Sequence, residues 1–202
     1  MIKQIEAYEP YNEQEERDKE IILSMLTEAE RMGEDIFSRE NRMAHMTASA
    51  WVVNRDRTKV LLAYHNIYNS WAWLGGHTDG ERNLLSVAVR EVCEESGLTP
   101  AHVRPAWLIS QKGDLSQGSA GDIFSLEVLA VDGHFKKGEY ISSHLHLNVT
   151  YLLESDEEET LYKKEDENSS VKWFLPEEAL AASSEPWFAE HIYRKLNEKA
   201  GL

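Results

Sequence analysis

Residues 75–98 read GGHTDGERNLLSVAVREVCEESGL, with Arg90, Glu91, Glu94 and Glu95 crowded near the end. Upstream of them Leu84, Leu85, Val87, Ala88 and Val92 recur at helical spacing, and Gly97 stands where a helix end favours a left-handed backbone. The stretch therefore predicts a loop opened by a glycine pair, then a helix over residues 82–96. On such a helix, positions three and four apart share a face, so Glu91, Glu94 and Glu95 project together and Arg90 reaches Glu94 one turn on. Three like charges at that spacing repel one another unless a cation offsets them. Carboxylate oxygens are the ligands hard divalent cations select, and Mg²⁺ takes one or two of them together with substrate phosphate oxygens. Gly75 and Gly76 have no Cβ, so bare backbone comes close to the same site, where a loop carbonyl completes the metal shell.

The stretch resembles the Nudix box, written G-x5-E-x7-R-E-U-x-E-E-x-G-U with U aliphatic. Counting from Gly76, the matching positions are Arg90, Glu91, Val92, Glu94, Glu95, Gly97 and Leu98. The departure is the first glutamate of the pattern, which falls on Arg82, while Glu81 lies one position early. The resemblance implies an α/β fold, an α/β/α sandwich with a mixed β-sheet, carrying an added N-terminal helix. Residues 1–44 would be that helical extension and residues 45–202 the domain, with the box at 76–98.

The resemblance also implies an enzyme that cuts a pyrophosphate bond in a nucleoside diphosphate linked to another moiety, using Mg²⁺ or Mn²⁺. By similarity, Glu94 and Glu95 are the principal metal ligands and the Gly75 carbonyl adds an oxygen. Glu91 ligates through water or helps deprotonate the nucleophilic water, and Arg90 holds the glutamates in place. Many members draw one more acidic residue from a loop before a late strand. Glu165, Asp166 and Glu167 occupy such a place, and Glu167, nearest the strand, is the preferred candidate.

Outside the box, residues 12–39 carry Ile22, Met25, Leu26, Ala29, Met32 and Phe37 at roughly helical spacing among many charges, with Gly33 as a helix end. That helix is expected to cap the site or to mediate a homodimer. Residues 46–53 and 59–64 are β-rich runs around the polar turn NRDRTK and predict a hairpin. A short aromatic strand, WAW, should break at the glycine pair. Further strands are expected over residues 103–110, 123–131, 145–153 and 171–174, and Pro176 and Pro186 are placed to start helices.

In SHLHLNVTYLL the alternation puts His144, His146, Asn148 and Thr150 on one face of a strand. Such a polar face suits a substrate cleft, with His77 touching phosphate and Trp73 or Trp71 stacking on a base. Zinc is disfavoured there, because two histidines two apart need further ligands that the sequence does not identify.

Composition narrows the partners. With 21 Lys and Arg against 36 Asp and Glu, the net charge is −15, a field that repels nucleic acid and anionic membrane. The single cysteine, Cys93, excludes an internal disulfide and fits a reducing, cytoplasmic setting. No apolar run has signal-peptide or membrane-spanning character. The expected partner is a small nucleotide or other diphosphate compound. Oxidised nucleoside triphosphates, dinucleoside polyphosphates, nucleotide sugars and ADP-ribose all fit, since selectivity lies in loops around a common site.

Two other functions compete. Isopentenyl diphosphate isomerases share the fold, and GGH with the His-rich strand is similar to metal-binding features there. Their catalytic cysteine lies upstream of the box, however, where this chain has none before Cys93. A non-catalytic nucleotide sensor is the other alternative, and the intact Glu91, Glu94 and Glu95 set argues against it.

Overall fold

The computed structural model of the protein describes residues 1–67, 69–106, 121–136, 138–164 and 168–202. The chain opens with helices α1 (Ile2–Ala7) and α2 (Glu13–Met32), followed by strands β1 (Ala44–Asn54), β2 (Val60–His65), β3 (Ser70–Ala72) and β4 (Leu74–His77). Helix α3 (Leu84–Ser96) leads to β5 (Arg104–Pro105), β6 (Ile123–Val131), β7 (His134–Lys136), β8 (Glu139–Ile141), β9 (His144–Ser155) and β10 (Asn168–Phe174). The C-terminal part holds α4 (Pro176–Ala182), α5 (Pro186–Phe188), a π-helical turn (Ala189–Tyr193) and α6 (Arg194–Ala200). The main sheet is mixed, its strands pairing in the order β10, β2, β1, β9, β5, with β3 on β2, β4 on β1 and β6 on β9; β7 and β8 form a separate hairpin.

Contacts divide the chain into two compact units, each discontinuous in sequence. One comprises Met1–Ala48, Gly76–Val87 and Ile123–Thr150, the other Ser49–Gly75, Ala88–Asp122 and Tyr151–Leu202.

In the first unit, α2 begins where the Asn12 side chain accepts from the Glu15 N–H at 3.0 Å, and ends at Gly33, whose φ of 72° is left-handed. Its buried stripe is Ile22, Leu26 and Ala29, four and three residues apart, and it packs on β6. Met32, expected in that stripe, is 57% exposed, because the helix ends there. Glu15 interrupts the apolar face and is fully buried. Tyr8 donates to Glu15, and Ser125 of β6 reaches both Glu15 and Glu127. Glu127 in turn accepts from Asn148 at 2.9 Å and Thr150 at 2.8 Å, while Thr47 donates to Asn148 at 2.9 Å. Every polar atom named there has a partner, which buried polar groups require. Burial and the neighbouring Glu15 raise the Tyr8 phenol well above its ordinary range, so it stays a donor.

In the second unit, the expected hairpin is present: β1 and β2 run antiparallel with Val52 opposite Leu61 and Val53 opposite Val60. β2 also carries β3 on one register, Ala63 opposite Ala72, and β10 on another, Val171 opposite Ala63. A β-bulge between Asn168 and Ser170 shifts the start of β10. Trp51 and Tyr193 are fully buried and stacked, with ring centroids 5.3 Å apart. Two expectations differ in detail. The break between the aromatic strand and its continuation falls at Trp73, and Gly75 and Gly76 lie within β4. Of the strand expected over residues 103–110, the described part is the short β5, and residues 107–120 lie outside the described residues.

Candidate active site

The helix predicted from the carboxylate stretch forms as α3, starting two residues later than expected at Leu84. It ends at Gly97, with φ of 73°, and a Cβ at that position would lie 2.7 Å from the Cβ of Tyr162. The Tyr162 N–H donates to the Ser96 carbonyl at 2.7 Å, so the chain that returns past the helix end passes directly over this glycine. A residue with a side chain fits neither the backbone angle nor the space.

Around the last turns of α3 the second unit gathers one cluster. Glu95 is 3% exposed, and its Oε2 accepts from the Gly75 N–H at 3.1 Å. Its Oε1 lies 3.9 Å from Nε2 of His65, the last residue of β2. Its backbone oxygen accepts from the Asn168 side chain at 3.0 Å. Asn168 is fully buried at the start of β10, opposite His65, and also accepts from the Lys164 N–H at 3.0 Å. Glu91 accepts from Arg90 at 2.7 Å, and the Arg90 Nε is 3.7 Å from Glu94 Oε1. Lys164 Nζ donates to the other Glu94 oxygen at 3.2 Å. Burial raises the Glu91 carboxyl above the usual carboxylate range, while its bond to Arg90 pulls the other way.

The three glutamates thus lie on one end of one helix, each with an oxygen bound by an N–H or a cationic group. Arg90 touches both Glu91 and Glu94. Lys164, His65 and Asn168 were not singled out from the sequence. They lie far from the box in the chain, and strand pairing is what brings His65 and Asn168 to Glu95. The donor set, carboxylate oxygens one turn apart beside a glycine backbone, fits a hard divalent cation. Glu165, Asp166 and Glu167, the candidates for an additional acid, lie outside the described residues.

The remaining candidates divide. Trp73 is 9% exposed and packs edge-on against Tyr193 at 5.7 Å and Phe188 at 6.4 Å, a core environment in place of the base-stacking surface expected. Asn148 is 1% exposed and belongs to the Glu127 network of the first unit, so it is not presented to a cleft as the alternation of β9 suggested. Burial of both faces of β9 at that point is the reason, since Leu147 and Val149 are fully buried as well. His144, His146 and His77 come together with His45, a residue not singled out from the sequence. The His45 ring lies 5.0 Å from His77, 4.9 Å from His144 and 5.0 Å from His146, all in the first unit. Among the described residues no helix is long and apolar enough to cross a membrane.

The family model for the NUDIX domain matches residues 43–196. Among solved structures, an Ap4A hydrolase of C. elegans in a binary complex is similar at 17% identity, covering 76% of this chain and 93% of that one, with a TM-score of 0.51. A MutT protein from Methanosarcina mazei Go1 is similar at 15% identity, covering 78% of this chain and 96% of that one, also with a TM-score of 0.51. At these identities the likeness is one of fold. No curated protein matches the sequence.

Proposed function

We propose that this chain, which belongs to the NUDIX domain family, hydrolyses a pyrophosphate bond in a nucleoside diphosphate linked to another moiety, with Mg²⁺ or Mn²⁺ held on α3. The observation that carries the reading is the set Arg90, Glu91, Glu94 and Glu95 at one end of α3, with the Gly75 backbone bonded to Glu95 at 3.1 Å. Residues 45–202 are taken as the catalytic domain and residues 1–44 as its helical extension.

Glu94 and Glu95 would hold the ion, with the Gly75 carbonyl adding an oxygen. Bound there, a divalent cation supplies neutralisation of phosphoryl charge and a more acidic water. Glu91 accepts the proton of the attacking water. Its raised carboxyl makes it a stronger base than a solvated glutamate, which suits that task. Arg90 positions Glu91 and Glu94 through the contacts already present, and Lys164 balances the charge of Glu94. Glu167 is the proposed additional acid. With a net charge of −15, the protein needs such local cations to accept an anionic substrate at all.

The test is a panel of dinucleoside polyphosphates, nucleotide sugars, ADP-ribose and oxidised nucleoside triphosphates, incubated with Mg²⁺ or Mn²⁺ and analysed by mass. Release of a nucleoside monophosphate or inorganic phosphate, lost in Glu94→Gln and in Glu95→Gln, is expected. Folded protein that binds nucleotides and hydrolyses no member of the panel would be a nucleotide sensor and would overturn the assignment.

A further inference from the structure

We propose that His45, His144 and His146 form a second metal site, for one divalent transition ion of the zinc class, separate in its ligands from the carboxylates of α3. His45 is the second residue of β1, and His144 and His146 begin β9, where alternation turns both to one side of the strand. All three belong to the first compact unit. One ligand atom from each lies within 4.8 Å of the others.

Hydrogen bonding settles which nitrogens are available. His45 Nδ1 lies 2.9 Å from the Asn41 carbonyl, and His144 Nδ1 lies 2.9 Å from the Ser142 carbonyl. A carbonyl only accepts, so both Nδ1 atoms carry a proton, and the neutral tautomer with that proton presents a bare Nε2. Orientation of an imidazole by a bond from its other nitrogen to a backbone carbonyl is the arrangement that supports a metal-bound histidine.

Nε2 of His45 is buried and has no hydrogen-bond partner among the described residues, in a residue only 4% exposed. Leaving such a buried acceptor unmet is costly. Its ring stands against other imidazoles on three sides, and an ion bound there uses the lone pair. Spacing agrees with this. Nε2 of His144 and Nε2 of His146 are 3.2 Å apart, close to the roughly 3.3 Å that a tetrahedral site with metal to nitrogen bonds of about 2.0–2.1 Å requires. A hydrogen bond between those two rings explains the 3.2 Å separation equally well, but it leaves His45 Nε2 without a partner.

The donor set selects the ion. Imidazole nitrogens suit zinc and its transition-metal neighbours, whereas Mg²⁺ and Ca²⁺ take oxygen. Burial and the surrounding rings lower the pKa of His45 and of His146, which favours the neutral form that ligation needs. With three protein ligands, a fourth position is left for water or a ligand oxygen. The His77 ring lies 5.0 Å from the rings of both His45 and His146.

The test uses untagged protein of this sequence stripped with chelator, then titrated with Zn²⁺ by calorimetry and with Co²⁺ by visible absorption. One ion per chain is expected, with the ligand-field bands of nitrogen-ligated cobalt and a raised unfolding temperature. His45→Ala and His144→Ala should each weaken binding by more than about 100-fold, beyond the 10–100-fold that loss of an outer partner gives. Since alanine can disturb the strands, His45→Asn is made in parallel, and circular dichroism verifies the fold of each variant. Glu94→Gln and Glu95→Gln should bind Zn²⁺ like the wild type, so the result stands whether or not the hydrolase assignment does. No saturable Zn²⁺ or Co²⁺ binding by the folded wild type, or equal binding by the folded histidine variants, overturns the proposal.

Discussion

The backbone N–H of Gly75 donates to the Oε2 of Glu95 over 3.1 Å, joining strand β4 to the end of the carboxylate helix. Glutamine at position 95 keeps a carbonyl oxygen for that bond, while alanine leaves the N–H unmet. Glu95→Ala should therefore unfold about 1–3 kcal/mol more easily than the wild type, and Glu95→Gln by clearly less. Both should lose metal-dependent hydrolysis by about 100-fold or more, as removal of a charge-stabilising group does. Chemical denaturation and steady-state kinetics on the same samples separate the two effects. Full activity in Glu95→Gln would show that the carboxylate serves packing alone.

Gly97 combines a left-handed backbone with a Cβ position already occupied by Tyr162. Gly97→Ala should destabilise the protein by about 1–3 kcal/mol, the cost of a strained backbone residue. At this chain length that corresponds to about 2–4 °C in melting temperature per kcal/mol. A melting curve unchanged from the wild type would contradict the close passage of Tyr162 over the helix end.

Asn168 joins three segments, bonding the Glu95 carbonyl, the Lys164 N–H and, through β10, the end of β2. Asn168→Ala should cost about 1–3 kcal/mol of stability by stranding those buried groups. It should also lower kcat more than it raises KM, because the glutamates lose their support while no substrate contact is removed. Asn168→Asp keeps the acceptor for Lys164 and loses the donor to Glu95, so an intermediate phenotype is expected. Wild-type kinetics in both variants would dismiss the positioning role.

Acidification should destabilise the metal-free protein. Burial, and after it the rings of His77, His45 and His144, push the His146 pKa down to about 2, and burial lowers His45 too. An unfolded histidine titrates near 6.5. Below about pH 6.5 the unfolded chain therefore takes up a proton that the folded protein refuses, and stability falls as the pH drops through that window toward 2. The slope is at most about 1.4 kcal/mol per pH unit for one such group. Melting temperatures of chelator-treated protein between pH 7.5 and 5.5 should decline for the wild type and decline less for His146→Asn. Parallel curves would mean that folding leaves the His146 pKa unchanged.

Local patterns were legible and distant ones were not. Helix α3 and its terminus at Gly97 followed from apolar spacing and a glycine, both properties of a few consecutive residues. The β1 and β2 hairpin and strand β6 followed likewise. The network of Glu15, Ser125 and Glu127 did not, because a glutamate within a charged helix reads as exposed until tertiary pairing buries it. His45 was missed for a related reason: a single histidine opening an apolar strand carries no signal until β9 and β4 bring three more rings beside it. Lys164 and Asn168 belong to a polar stretch that reads as a surface connection, yet two of its side chains reach α3. Trp73 and Asn148 were assigned to a cleft from residue type and alternation, which carry no information about burial on both faces.

The most direct measurement is a titration of the protein with Mn²⁺, followed by the electron paramagnetic resonance signal of the free ion, with and without a non-hydrolysable nucleoside diphosphate analogue. Binding that tightens with the analogue and is lost in Glu94→Gln and Glu95→Gln is the expected result. Mn²⁺ binding that is absent, or that persists unchanged in both variants, would contradict a metal-held pyrophosphate on α3.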